Sequence, residues 1–154
     1  MSLYKKIINQ LIENNITVSV AESCTGGKLS KCFTDHQGVS KIFEMGLVTY
    51  SNNSKNLILN ISLKLISQKG AVSEEIAKKM IDNLSKISNS KICISTTGIA
   101  GPNGGSKDKP VGLVYVGIKF NKRDKIYKKK FSGNRKKIQD KTINFIFEEI
   151  KKLL

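Results

Sequence analysis

Leu3, Ile7, Ile8, Leu11 and Ile12 recur at helical spacing, so the chain opens with an amphipathic helix. Asn14 and Asn15 break that pattern, and the apolar run at 17–21 (TVSVA) predicts a buried strand. The strand leads directly into Glu22-Ser23-Cys24-Thr25-Gly26-Gly27, after which Leu29, Cys32 and Phe33 share one face of a second helix. Residues 43–50 (FEMGLVTY) predict another strand, and Ser51-Asn52-Asn53-Ser54 supplies N-cap residues for a helix carrying Lys55, Leu57, Ile58 and Leu59. Beyond Gly70, Ser73 opens a further helix with Ile76, Ala77, Met80, Ile81 and Leu84 on one face. Glu74 and Glu75 lie in its first turn, where the helix dipole favours acidic groups.

The second half reads as strand 91–97 (KICISTT), a glycine-dense loop, strand 111–120, a turn at 121–124, strand 125–131 and a closing helix over about 134–154. That helix carries Ile138, Ile143, Phe145, Ile146, Ile150 and Leu153 as its apolar positions. The loop at 98–110 has no room for a crossover helix, so its flanking strands pair antiparallel if adjacent, and the tight 121–124 turn imposes the same on the next pair. The expectation is an α/β chain with a mixed five-stranded sheet, folded as a single domain over 1–154. There is no internal repeat and no linker.

Composition adjusts this picture. Lys and Arg number 27 against 12 Asp and Glu, a formal charge of +15, which first suggests nucleic acid. Only Arg123 and Arg135 are arginines, however, and the abundant Lys, Ile and Asn follow A/T-rich codons. Lysine-rich faces without interleaved aromatics attract counterions diffusely and do not read bases. Solvated faces are therefore the expected role of most of the excess, and a non-catalytic nucleotide- or nucleic-acid-binding module is the alternative reading.

A hydrophobic share of 39% excludes a disordered chain, and no apolar run approaches the ~18 residues of a membrane span. The N-terminus lacks a signal-peptide core and cleavage site, so the expected compartment is the cytoplasm. Cys24, Cys32 and Cys93 include no CxxC pair, and His36 is the sole histidine. The expectation is a chemistry without disulfide, metal, cofactor or imidazole.

Four polar clusters lie at or just after predicted strand ends: the 22–27 segment, Tyr50 with Lys55, Thr96-Thr97-Gly98 with the glycine loop, and Gly133 with Arg135. In an open α/β sheet such ends converge on one crevice. A serine at a strand-to-helix elbow, beside glycines that let N–H groups face a ligand, suits a nucleophile next to an oxyanion or phosphate nest. With imidazole scarce, Lys55 can serve as base if burial lowers its pKa, and Tyr50 can relay the proton. Cys24 is expected to be a packing residue, and Glu22 either orders the loop or acts as an acid. His36 and Tyr4 are expected to be structural or exposed.

AESCTGG, VTYSNNSK, GAVSEE, TTGIAGPNGGSKDKPVGLVYVGI and FSGNR occur in this order, and the chain closely resembles the CinA C-terminal domain family in its stand-alone, nicotinamide mononucleotide deamidase form. The resemblance implies a three-layer α/β/α fold with one antiparallel strand. It also implies hydrolysis of nicotinamide mononucleotide to nicotinic acid mononucleotide and ammonia, in pyridine-nucleotide salvage. By the same resemblance, Ser23, Tyr50 and Lys55 are the catalytic residues, and Thr97 and Arg135 hold substrate. Glu22, Thr25, Gly26, Gly27, Gly98, Gly101 and Gly104 are the further substrate-binding candidates. The family's second arginine, four residues after the first, is Gln139 here, and Asn134 replaces its usual aspartate. A homodimer is the expected assembly, through apolar faces of the terminal helices.

Overall fold

The computed structural model describes residues 2–154. Its elements are α1 (Leu3–Glu13), β1 (Val18–Glu22), α2 (Lys28–Thr34), β2 (Phe43–Val48), α3 (Asn52–Leu59), α4 (Leu63–Lys69), α5 (Glu74–Ser88), β3 (Ile92–Gly98), β4 (Leu113–Phe120), β5 (Arg123–Lys130) and α6 (Arg135–Lys151). The sheet order is β2-β1-β3-β4-β5. β1 pairs parallel with β2 and β3, while β4 pairs antiparallel with both β3 and β5, so β4 is the one reversed strand.

The strands at the centre are apolar because both sheet faces are covered. On one face α1, α2 and α6 bury Ile8, Leu11, Leu29, Phe33, Ile146 and Phe147 against Val20, Ile94 and Val116. On the other, α3, α4 and α5 bury Leu59, Ile66, Ile76 and Met80 against Ala21 and Cys93. Ser51, Ser73 and Asn134 accept from N–H groups of Ser54, Ile76 and Lys137 and so cap α3, α5 and α6 as their sequence positions predict.

Two differences from the sequence expectation concern the site. α4 is an additional helix, and β2 ends at Val48 rather than residue 50. The carbonyls of Thr49 and Tyr50 leave the ladder to accept from a lysine. α1 buries Ile7, Ile8 and Leu11, and α6 buries Ile138, Ile143, Ile146, Phe147 and Ile150, in the domain's own core.

Candidate active site

Ser23 is the first residue beyond β1, and its N–H still donates to the Thr96 carbonyl of the neighbouring strand at 3.0 Å. The turn that follows runs through Gly26 and Gly27, both left-handed at φ +57° and +95°, a conformation that favours glycine. Gly27 occupies the N-cap of α2 and offers no side chain, so Ser23 is not a capping residue. That role falls to Glu22. Its fully buried carboxylate accepts from Leu29 N at 2.8 Å, Ser30 N at 3.0 Å, Ser30 Oγ at 2.7 Å and Thr25 Oγ1 at 2.7 Å. Glu22 and Thr25 therefore brace the elbow from behind. Of the 22–27 segment, Ser23 and Cys24 line the cleft, while Glu22, Thr25, Gly26 and Gly27 lie behind it.

Lys55 lies one turn into α3 and points inward, with 1% of its surface exposed. Its Nζ is 2.9 Å from Ser23 Oγ, 2.7 Å from the Thr49 carbonyl and 3.1 Å from the Tyr50 carbonyl. Burial lowers its pKa from the usual 10.5 to about 8. Among the described residues no carboxylate pairs with it, and the Coulombic influence of Cys24, which acts the other way, does not cancel the effect of burial. Two of its three partners only accept. A neutral amine satisfies them with its two N–H bonds, which leaves the nitrogen lone pair facing the Ser23 hydroxyl. The Thr49 hydroxyl nearby is buried and makes no hydrogen bond.

Tyr50 meets Lys55 through its main-chain carbonyl; its phenol, 56% of the residue being exposed, accepts instead from Arg135 Nη2 at 2.7 Å. This differs from a phenol-to-amine relay. Arg135 Nη1 donates to the Gly101 carbonyl at 2.8 Å, so one guanidinium ties α6, the glycine loop and the segment after β2 together. Thr97 is buried and its hydroxyl donates to the Ala71 carbonyl at 2.7 Å, fixing the loop before α5 rather than presenting a free hydroxyl. Gln139 Nε2 donates to the Cys24 carbonyl at 3.0 Å, and Asn134 caps α6. Each departure from the family pattern thus has a local partner.

The cleft so formed has a volume of about 240 Å3. Of the sequence candidates it brings together Ser23, Tyr50, Lys55, Thr97, Gly98, Gly101, Gly104 and Arg135. A larger hollow of about 570 Å3 on α1, near Lys151, shares no residue with it and is lined by no serine, threonine or cysteine. Cys24, beside the serine, is buried, and burial pushes its thiol up to about 12, so it remains protonated at neutral pH. Among the described residues no three His, Cys, Asp or Glu side chains converge to hold a metal ion. His36 bonds Asn9 at 2.7 Å and Tyr4 donates to Asn144, both away from the cleft.

Residues 1–154 match the CinA C-terminal domain over their whole length. The chain belongs to the CinA C-terminal domain family. A CinA-like protein of Endomicrobium trichonymphae is 45% identical over 144 residues, which is 94% of this chain and 34% of that protein. A Thermoanaerobacter pseudethanolicus protein, provisionally named competence-damage inducible, is 45% identical over 148 residues, 96% of this chain and 36% of its own length. The chain thus spans about a third of the curated relatives it matches. The crystal structure of competence damage-inducible protein A from Klebsiella pneumoniae superposes with a TM-score of 0.93 at 26% identity, covering 98% of this chain and 94% of that one. That of a competence/damage inducible protein from Agrobacterium tumefaciens gives 0.92 at 30%, covering 99% and 96%.

In this CinA domain, Ala71, Val72 and Asn103 also form the cleft wall and are absent from the sequence candidates. The signal for the first two is the segment GAVSEE: an apolar pair between a helix end and an N-cap serine has to pack against something.

Proposed function

We propose that this CinA domain is an amidohydrolase that converts nicotinamide mononucleotide to nicotinic acid mononucleotide and ammonia through an acyl-enzyme on Ser23. The observation that carries the reading is the 2.9 Å contact between Ser23 Oγ and a buried Lys55 amine with a pKa near 8. At pH 7 such an amine is neutral in roughly a tenth of molecules, about 300-fold more than an ordinary lysine.

In the proposed sequence, neutral Lys55 takes the hydroxyl proton as Ser23 Oγ bonds to the carboxamide carbon. The carbonyl electrons move onto oxygen, for which the N–H of Cys24, the residue after the nucleophile, is the candidate donor. Collapse of the intermediate breaks the C–N bond, and the Lys55 ammonium returns the proton so that ammonia leaves. Water then gives a proton to the same amine as it bonds to the acyl carbon, and collapse breaks the ester C–O bond while the Lys55 ammonium passes that proton to Ser23 Oγ, releasing the carboxylic acid.

The substrate assignment rests on the family resemblance and on Arg135. Its contacts to Tyr50 and Gly101 use two of five N–H donors, leaving a cation at the cleft for a phosphate. Three unpaired cysteines suit the reducing cytoplasm as the compartment.

The test is ammonia release from nicotinamide mononucleotide, free nicotinamide and the dinucleotide, for wild type and Ser23→Ala. The expected result is turnover of the mononucleotide by wild type and a loss of at least about 1,000-fold in Ser23→Ala. Equal rates for the two proteins would remove Ser23 as nucleophile, and no ammonia from any of the three compounds would remove the substrate class.

A further inference from the structure

In the turn between β1 and α2, the Gly26 N–H donates to the Ser23 carbonyl at 3.1 Å and the Lys28 N–H to the Thr25 carbonyl at 3.0 Å, so both carbonyls are satisfied locally. The Cys24 carbonyl between them is not. Among the described residues the donor it meets is Gln139 Nε2, at 3.0 Å and 115 residues further along the chain. Main-chain groups in a folded interior are almost always paired, and here the pairing of one of them depends on a side chain of α6.

Gln139 is one helical turn beyond Arg135, so the two side chains rise from the same face of α6. Arg135 reaches the glycine loop and Tyr50, while Gln139 reaches the elbow. The helix that carries both is anchored in the core by Ile138, Ile143 and Ile146. Asp140 also meets Lys28 at the start of α2, but that pair is solvent-exposed and holds little. Gln139 does not line the cleft, so whatever it does there it does through Cys24.

The two main-chain groups of Cys24 have different roles. Its N–H is the candidate donor to the oxyanion, and its carbonyl is the atom that Gln139 holds. Gly26 and Gly27, both left-handed, follow at once and offer little resistance to rotation of the Cys24–Thr25 peptide. We propose that Gln139 is a positioning residue: by fixing the Cys24 carbonyl it fixes the main chain of Cys24, and with it the direction of the N–H that faces the developing oxyanion. Its effect on rate rests on the amidohydrolase reading; its hold on the elbow rests on the hydrogen bond alone. A donor aimed at charge that develops only in the transition state governs kcat and leaves KM unaltered.

The experiment compares wild type with Gln139→Met, which keeps the length of the side chain without the donor, and Gln139→Arg, which keeps an N–H donor. In the ammonia assay with nicotinamide mononucleotide, Gln139→Met is expected to lower kcat about 10- to 100-fold at an unaltered KM, and Gln139→Arg to recover most of that loss. Amide NMR relaxation reads the elbow directly. In wild type the Cys24 and Thr25 amides are expected to be as rigid as β1, with order parameters of about 0.85, and in Gln139→Met to fall toward about 0.6 while circular dichroism stays unchanged. A Gln139→Met protein with wild-type kcat, one whose KM rises while kcat holds, or one whose Cys24 and Thr25 amides stay rigid would each overturn the inference. Loosened amides in Gln139→Met, with no ammonia from wild type, would instead overturn the amidohydrolase reading and leave the hold of Gln139 on the elbow standing.

Discussion

The proposed role of Lys55 as base rests on surroundings that disfavour it as a cation. Only hydroxyl and carbonyl oxygens reach its Nζ, and burial holds its pKa near 8. An arginine at 55 keeps a positive charge but does not lose its proton near neutrality. Lys55→Arg is therefore expected to lower kcat/KM by at least about 1,000-fold in the ammonia assay, with no recovery up to pH 10. Activity retained by Lys55→Arg at neutral pH would show that the positive charge, not the lone pair, is what the reaction needs. The sequence disclosed the pairing of Ser23, Tyr50 and Lys55, because all three follow strand ends. It did not disclose which atom of Tyr50 takes part. Spacing places a residue at a strand end but is silent on whether its carbonyl or its phenol turns toward the amine.

The elbow between β1 and α2 depends on its element boundaries as well as on Ser23. Glu22 receives four hydrogen bonds at the start of α2, two from main-chain N–H groups. Glu22→Gln replaces one acceptor oxygen with an NH2 that faces donors, and it removes a negative charge from the positive end of a helix dipole. The expected cost is about 2 to 4 kcal/mol, read as a lower urea midpoint, with the residual folded protein losing activity because the elbow shifts. Unchanged stability would show that the carboxylate is not what anchors α2.

The strands, the antiparallel turn and the three capped helices were legible in sequence because apolar periodicity and capping residues coincide there. α4 was not. It is seven residues long, buries only Ile66 and exposes Leu63, too little for a helical stripe to show. The end of β2 was misplaced for a related reason. The apolar-aromatic pattern runs on to Tyr50, but Lys55 takes the carbonyls that would have extended the ladder.

For the whole molecule, the buried amine links stability to pH. Below about pH 8 Lys55 is protonated in both the folded and the unfolded chain, and its burial penalty is present in full. Between about 8 and the unfolded value near 10.5, the unfolded chain binds more protons, so the contribution of Lys55 to stability rises with pH. Subtracting the unfolding free energy of Lys55→Met from that of wild type isolates this site from the other lysines. The difference is expected to move in favour of wild type by roughly 2 to 3 kcal/mol from pH 7 to pH 10.5. A constant difference would mean that Lys55 titrates as an ordinary surface lysine.

The measurement that tests the central claim most directly is the pH dependence of kcat/KM for nicotinamide mononucleotide in wild type. With Lys55 acting as the base for Ser23, the rate constant rises tenfold per pH unit on the acid side and levels off near pH 8. A profile that is flat from pH 6 to pH 9, or one that falls across that interval, would contradict it.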